Sequence, residues 1–137
     1  MAFLTAADYG TLIKQEQLDI VLQGNATALS GAELFAQQFI ESYLRSRYDV
    51  AKIFGALGAE RSQLIITYMV DITLYTVHSR HGRVQMPDKR IDRYDQAVEW
   101  LKAVAAGKIS ADLPLLPPAE RTGGFKWGSA PQQTLSW

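Results

Sequence analysis

His78 and His81 stand three residues apart, close enough to share a helix face and offer two imidazoles to one metal ion. A zinc site needs three or four ligands, and no HExxH pair, third histidine or cysteine joins these two. The spacing therefore predicts two solvent-facing histidines at a helix end, where a cation complements the C-terminal dipole. Asp88, Asp92 and Asp95 are spaced four and three apart, a face that could hold a divalent ion, but Lys89, Arg90 and Arg93 are interleaved with them. Side-chain ion pairing is the expected use. Serine, histidine and aspartate are all present, yet there is no GxSxG elbow and no GxGxxG loop, and Gly55-Ala56-Leu57-Gly58 lacks the lysine and preceding strand of a phosphate cradle. The absence of cysteine removes disulfides, thiolate metal sites and cysteine nucleophiles. These residues predict a protein that is not an enzyme, with no catalytic residue, cofactor or metal.

Asp71 is the most informative charge. It sits in the middle of SQLIITYMVDITLYTV, Ser62 to Val77, where Leu64, Ile65, Ile66, Met69, Val70, Ile72, Leu74 and Val77 spread round a helical wheel. Ile, Thr and Val favour strands, so a short run of them is ambiguous. Sixteen residues without Gly or Pro is long for a strand and ordinary for a helix. The segment is predicted as a central helix, packed by neighbours on several sides. Asp71 aligns with Gln63, Thr67 and Tyr75 on a half-polar strip, so it is either exposed there or buried with a partner. The favoured partner is Arg47 or Arg45; a bidentate arginine would lock two core helices in register.

The elements around that helix follow from caps and periodicity. Thr5 and Asp8 open a short first helix with Leu4 and Tyr9 as its staple, and Glu16–Leu22 adds a second turn before Gly24-Asn25. Ser30 and Glu33 read as a capping box for a helix to about Arg47, with Phe35, Phe39, Ile40, Tyr43 and Leu44 on one face. The two-glycine stretch 48–60 is a connector, from which Ile53 or Phe54 plugs the core. Pro87 or Asp88 starts a last long helix with Ile91, Tyr94, Val98, Leu101 and Ala105 as its stripe, stopped at Gly107. The expected fold is all-α: a compact bundle of about four helices over residues 1–107 with a central buried helix. Residues 108–137 form an extended C-terminal tail, since Pro114, Pro117, Pro118 and Pro131 forbid a long helix there. The tail's Phe125, Trp127 and Trp137 are expected to dock on a partner chain.

At 137 residues and 47% apolar composition the chain is one domain with a real core. Its formal net charge is zero, which gives no global case for nucleic acid or anionic membrane. The start lacks the pattern of a secretory signal and no charge-free stretch of about 18 residues is present, so a cytoplasm-like compartment and no membrane contact are expected. Charge is nevertheless segregated. Residues 1–34 carry Asp8, Glu16, Asp19 and Glu33 against Lys14, and residues 78–93 carry Arg80, Arg83, Lys89, Arg90 and Arg93 against Asp88 and Asp92. One reading is a solvated loop. Another is head-to-tail packing of identical subunits, with Glu16 and Asp19 of one meeting Arg80, Arg83, Lys89 and Arg90 of the next, which closes into a ring when the rotation allows. A third is contact with DNA phosphates, although no recognition-helix pattern accompanies the basic segment.

Three segments carry a family resemblance: FIESYLRSRYDV, YMVDITLYTVHSR and RIDRYDQAVEWLKAVAAGKISADLP. Their order resembles the small head–tail connector (adaptor or head-completion) proteins of tailed bacteriophages and prophages, particularly the Mu-like branch, over roughly residues 3–113. The resemblance implies a mostly helical virion protein of the neck, assembled in the bacterial host cytoplasm. It would form a ring between the portal protein and a downstream neck or tail protein, close to the DNA channel. It implies no catalytic residue or cofactor, and it marks Tyr43, Leu44, Arg47, Tyr48, Asp71, Tyr94, Trp100, Leu101 and Gly107 as fold-specifying. The sequence departs from the family at the proline-poor loop 48–61 and in the tail 114–137. The alternative function is a small helical binding or regulatory module that contacts nucleic acid through the basic 78–93 segment.

Overall fold

The computed structural model of the chain describes residues 3–10, 12–22, 26–80 and 86–120. Six α-helices are present among them: α1 Ala6–Tyr9, α2 Gln15–Leu22, α3 Ala26–Leu44, α4 Val50–Gly55, α5 Gln63–Ser79 and α6 Asp88–Ala105. The described residues contain no strand beyond one isolated bridge, and the fold is all-α. Three long helices, α3, α5 and α6, form the body, and the short ones close its ends.

The segment built round Asp71 is the central helix. Ser62 caps it, its Oγ accepting from the Ile65 N–H at 3.4 Å, and Ile65, Ile66, Met69, Val70, Ile72, Leu74 and Val77 are all buried. Its threonines are accommodated within the helix: the Thr73 and Thr76 hydroxyls donate to the Met69 and Ile72 carbonyls at 2.7 and 2.8 Å. This back-bonding satisfies hydroxyls that would otherwise be unpaired among apolar neighbours. α5 packs against α3, α6, α1 and α2.

α3 differs from its sequence-based expectation in two ways. It starts at Ala26 and runs straight through Ser30. The Ser30–Glu33 box is not a cap, because Glu33 accepts the Tyr9 hydroxyl instead and pins α1 to α3. Of the expected stripe, Ile40 and Leu44 are buried and Phe39 and Tyr43 pack partly against the core, but the rest of the inward face is alanine. Ala28, Ala32, Ala36, Ile40 and Leu44, each four apart, are the buried set, whereas Phe35 is half exposed. Alanines at the helix contact let the α3 and α5 backbones approach closely, which leaves the larger side chains on the flank.

At the other end, Ile53 of α4 is the buried plug, and Phe54 meets Phe3 edge-on at 5.1 Å. α6 ends in a left-handed glycine, Gly107 at φ 79°. Its N–H bonds the Val104 carbonyl at 3.1 Å while the Lys108 N–H reaches Ala103 at 2.9 Å, the paired bonds of a Schellman stop. The chain then extends and returns to the body. The Ala111 N–H donates to the Tyr48 hydroxyl at 3.1 Å, Asp49 N–H to the Pro114 carbonyl at 2.8 Å, and Leu116 N–H to the Arg47 carbonyl at 2.9 Å. Ala111 and Leu113 are packed against the core.

Candidate functional site

α5 and α6 run antiparallel, with Tyr68 against Trp100 (ring centroids 5.0 Å) and Tyr75 stacked on Tyr94 (3.9 Å). Asp71 lies between Tyr68 and Tyr75 on the same strip of α5, so its carboxylate faces α6. It is buried there. Arg93 Nε donates to Oδ1 at 2.8 Å and Arg90 Nη1 lies 3.5 Å from the same oxygen. This corrects the expected pairing with Arg47 or Arg45. Arg47 stands beyond the end of α3 with its guanidinium 6.0 Å from the Tyr48 ring, at the corner where the C-terminal segment returns. Of the half-polar strip, Asp71 is covered by Arg90 and Arg93 of α6 and Tyr75 by Tyr94, while Gln63 is exposed.

Burial pushes the Asp71 carboxyl above its ordinary value, against the opposing pull of Arg93 and Arg90. The same burial draws Arg90 below its own. Desolvation of both partners is thus not fully recovered by their attraction. The cluster ties α5 to α6 and, through Arg90 Nη2 donating to the Leu12 carbonyl at 3.3 Å, to the turn after α1.

A second internal pair, with no signal at sequence level, closes the N-terminus. Arg61 Nη1 meets Asp8 Oδ2 and the Phe3 carbonyl, both at 2.7 Å, and its Nε reaches the Gly58 carbonyl at 2.9 Å. Burial raises the Asp8 carboxyl, but the bonds from Arg61 and Thr5 and the guanidinium charge outweigh it and hold the group below its ordinary value. Burial and the Glu33 carboxylate push the Tyr9 phenol upward, and burial raises Glu33.

These pairs decide which charges remain for an outside contact. Of the proposed interface residues, Glu16, Asp19, Arg80 and Lys89 are exposed, and Asp19 accepts from Gln15 at 2.8 Å. Arg90 is 8% exposed. It belongs to the core cluster, because the first turn of α6 lies over α5 and the α1–α2 turn, and it is removed from the candidate surface. His78 is likewise buried at the end of α5, contrary to the solvent-facing expectation. Arg83, His81, Phe125, Trp127 and Trp137 lie outside the described residues.

The apolar surface that periodicity did not find is on α3. Leu34 is 56% and Phe35 50% exposed. Phe35 stacks on Phe39 at 5.8 Å and Phe39 meets Tyr43 edge-on at 5.4 Å, an i, i+4, i+8 ladder along the flank. Beside Phe35 lies a hollow of about 310 Å³ walled by Thr27, Ala28, Gly31, Ala32, Thr76 and, at its edge, Arg80. An exposed aromatic next to a hollow of small residues and a cation is suited to packing and charge pairing.

No curated protein and no solved structure matches the chain. The family model described as Bacteriophage Mu, Gp36 matches residues 3–126, which takes in every helix described above. The family model covers most of the chain, and this protein belongs to the Bacteriophage Mu Gp36 family.

Proposed function

We propose that this phage protein is a structural, non-catalytic component of the virion neck, a head–tail connector that forms a ring between the portal and a downstream neck or tail protein. The observation that carries the reading is the flank of α3. A chain of the Mu Gp36 family leaves Leu34 and Phe35 half exposed beside a small-residue hollow rimmed by Arg80. The occupant is a second copy of the chain, whose exposed Glu16 and Asp19 supply the charge that Arg80 lacks. Such a contact is heterologous and generates a ring when its rotation closes. The alternative, a nucleic-acid module at 78–93, has less to recommend it, since Arg90 and Arg93 are engaged with Asp71.

The test is mass by light scattering across a range of protein concentrations, for the wild type and for Leu34→Glu/Phe35→Glu and Arg80→Glu variants. The expected result is a discrete oligomer in the wild type that both variants reduce to monomer, with helicity retained. An oligomer that survives both substitutions would overturn the α3 contact.

A further inference from the structure

A hollow of about 360 Å³ opens between α4, the start of α5, the second half of α6 and the chain that returns after it, at the far end of α5 from the Arg80 hollow. Its apolar wall is Ile53, Leu64, Trp100, Leu113 and Pro114. Leu64 is 46% exposed, and Leu57 and Leu115, next in sequence to Ala56 and Pro114 of the hollow, are 56% and 46% exposed. Apolar surface gathered round a concavity is a contact surface, unlike leucines scattered singly. The hollow is also acidic. Glu60 and Asp112 line it against Lys52, and neither carboxylate is in an ion pair among the described residues. The occupant that fits is an aromatic segment carrying a cation.

That chemistry is carried a short way further along the same chain. Residues 111–114 form one wall of the hollow, and the bonds of Ala111, Asp49 and Leu116 fix this stretch to the body. The described residues end at Glu120, and Phe125-Lys126-Trp127 follows the spacer 121–124. At about 3.3–3.6 Å for each extended residue, Phe125 stands within roughly 18 Å of Glu120. We infer that the hollow is the docking site of this chain's own Phe125-Lys126-Trp127 segment, with the aromatic rings against Leu64 and Trp100 and the Lys126 ammonium toward Glu60 and Asp112. The tether favours the chain's own segment over that of a second copy, because a short linker holds it at an effective concentration on the order of millimolar. The contact involves neither Phe35 nor Arg80, so its failure would leave the ring reading standing, and the reverse.

The chain has no cysteine, so a disulfide between two introduced ones reports the contact. In the full-length protein, Gln63→Cys with Ser129→Cys pairs an exposed residue of the hollow with a position just past Trp127. Gln17→Cys with Ser129→Cys is the control, since Gln17 is exposed beside the start of α6, at the opposite end of the bundle. Gln63 and Gln17 are both exposed, so neither change disturbs the core. The readout is the rate of disulfide formation under mild oxidation, followed by non-reducing denaturing electrophoresis. An intrachain disulfide is expected to form about tenfold or more faster in the first pair than in the control. Phe125→Ala/Trp127→Ala in the same background should bring the rate down to that of the control, and Lys126→Glu should slow it severalfold. Equal rates in the two pairs, or a rate unaffected by loss of both aromatics, would overturn the site. Interchain disulfides in place of intrachain ones would assign the segment to a neighbouring copy, the partner-chain contact expected from the sequence, and overturn docking within the chain.

Discussion

The Asp8–Arg61 clamp should be worth several times an ordinary surface ion pair, and the geometry says how much. The two side chains are 12% and 11% exposed and meet at 2.7 Å, with a second approach from Nη2 to Oδ1 at 3.4 Å. A charge-assisted bond at that burial contributes about 1.5–3 kcal/mol, against roughly 0–1 kcal/mol for an exposed pair. Arg61 also holds the Phe3 and Gly58 carbonyls and lies 5.7 Å from the Phe3 ring. Arg61→Ala should therefore cost about 2–4 kcal/mol in total. A double-mutant cycle with Asp8→Asn, which keeps an acceptor for the Thr5 N–H, isolates the pair itself. Urea midpoints at unchanged m give each corner of the cycle. The coupling is also pH-dependent. The folded Asp8 carboxyl lies below its ordinary value of 3.8, so its contribution is complete above 3.8 and is lost as pH falls through the folded value. Coupling within about 0.5 kcal/mol of zero at neutral pH would refute the reasoning. Asp71 carries the opposite sign. Its folded value is raised, so acidification just above 3.8 favours its folded environment. In an acid titration followed by hydrogen exchange, amides of Tyr9–Ile13 should lose protection before those of Ile72–Val77.

Two other outcomes follow from the core. Replacing Asp71, Arg90 and Arg93 together by Leu, Met and Met should leave the urea midpoint unchanged or raise it, because burial of these charges is not fully repaid by their attraction; a loss above about 3 kcal/mol would show that the cluster is a net source of stability. Tyr48→Phe removes the hydroxyl that accepts from Ala111 and should cost about 1–2 kcal/mol, with faster proteolysis in residues 108–116; an unchanged cleavage rate would mean that Pro114 and Leu116 hold the segment without it.

Most of the architecture could be read from the sequence where a local rule had one solution. The all-round apolar run was ambiguous between strand and helix by residue type and was settled as a central helix by its length, and the glycine after Ala106 is the helix stop, at positive φ. The plug was narrowed to Ile53 or Phe54, adjacent apolar residues in a glycine-bearing connector; Ile53 is the buried one and Phe54 packs partly against the core. The partner of Asp71 was not recoverable. A helical wheel gives the direction of a side chain about its own axis but not which neighbour lies there, and arginines were available both just past the end of α3 and on α6. The Asp8–Arg61 pair spans 53 residues, and nothing local in a connector arginine announces a partner at the chain's beginning. The capping box at Ser30 failed because tertiary contact took its carboxylate: Glu33 is more valuable to the buried Tyr9 hydroxyl than to an N-terminal amide.

The error on α3 leads further than the others. Hydrophobic periodicity ranks Phe35 and Phe39 above Ala32 and Ala36 as core residues, and by transfer free energy alone that ranking is sound. Helix packing inverts it. α5 is itself apolar on nearly every side, and two helices whose contact is lined by alanine approach more closely than phenylalanine would allow. Once the alanines occupy the inward face, the aromatics four residues apart must fall on the flank, where Phe39 and Tyr43 pack against the core and Phe35 and Leu34 remain half exposed. For an isolated chain that exposure is a cost of about 25 cal/mol for each Å² left in water. It is recovered only if a surface of matching shape covers it. The hollow lined by Thr27, Ala28 and Gly31 lies one to two turns back along the same helix and continues that exposed face. Phe35 forms part of the wall of that hollow, with Thr76 and Arg80 of the α5 end on the other side, so the ring and the hollow are one continuous exposed face. On the ring reading proposed above, the alanine spacing that sets the core also selects the side chains left over for the contact.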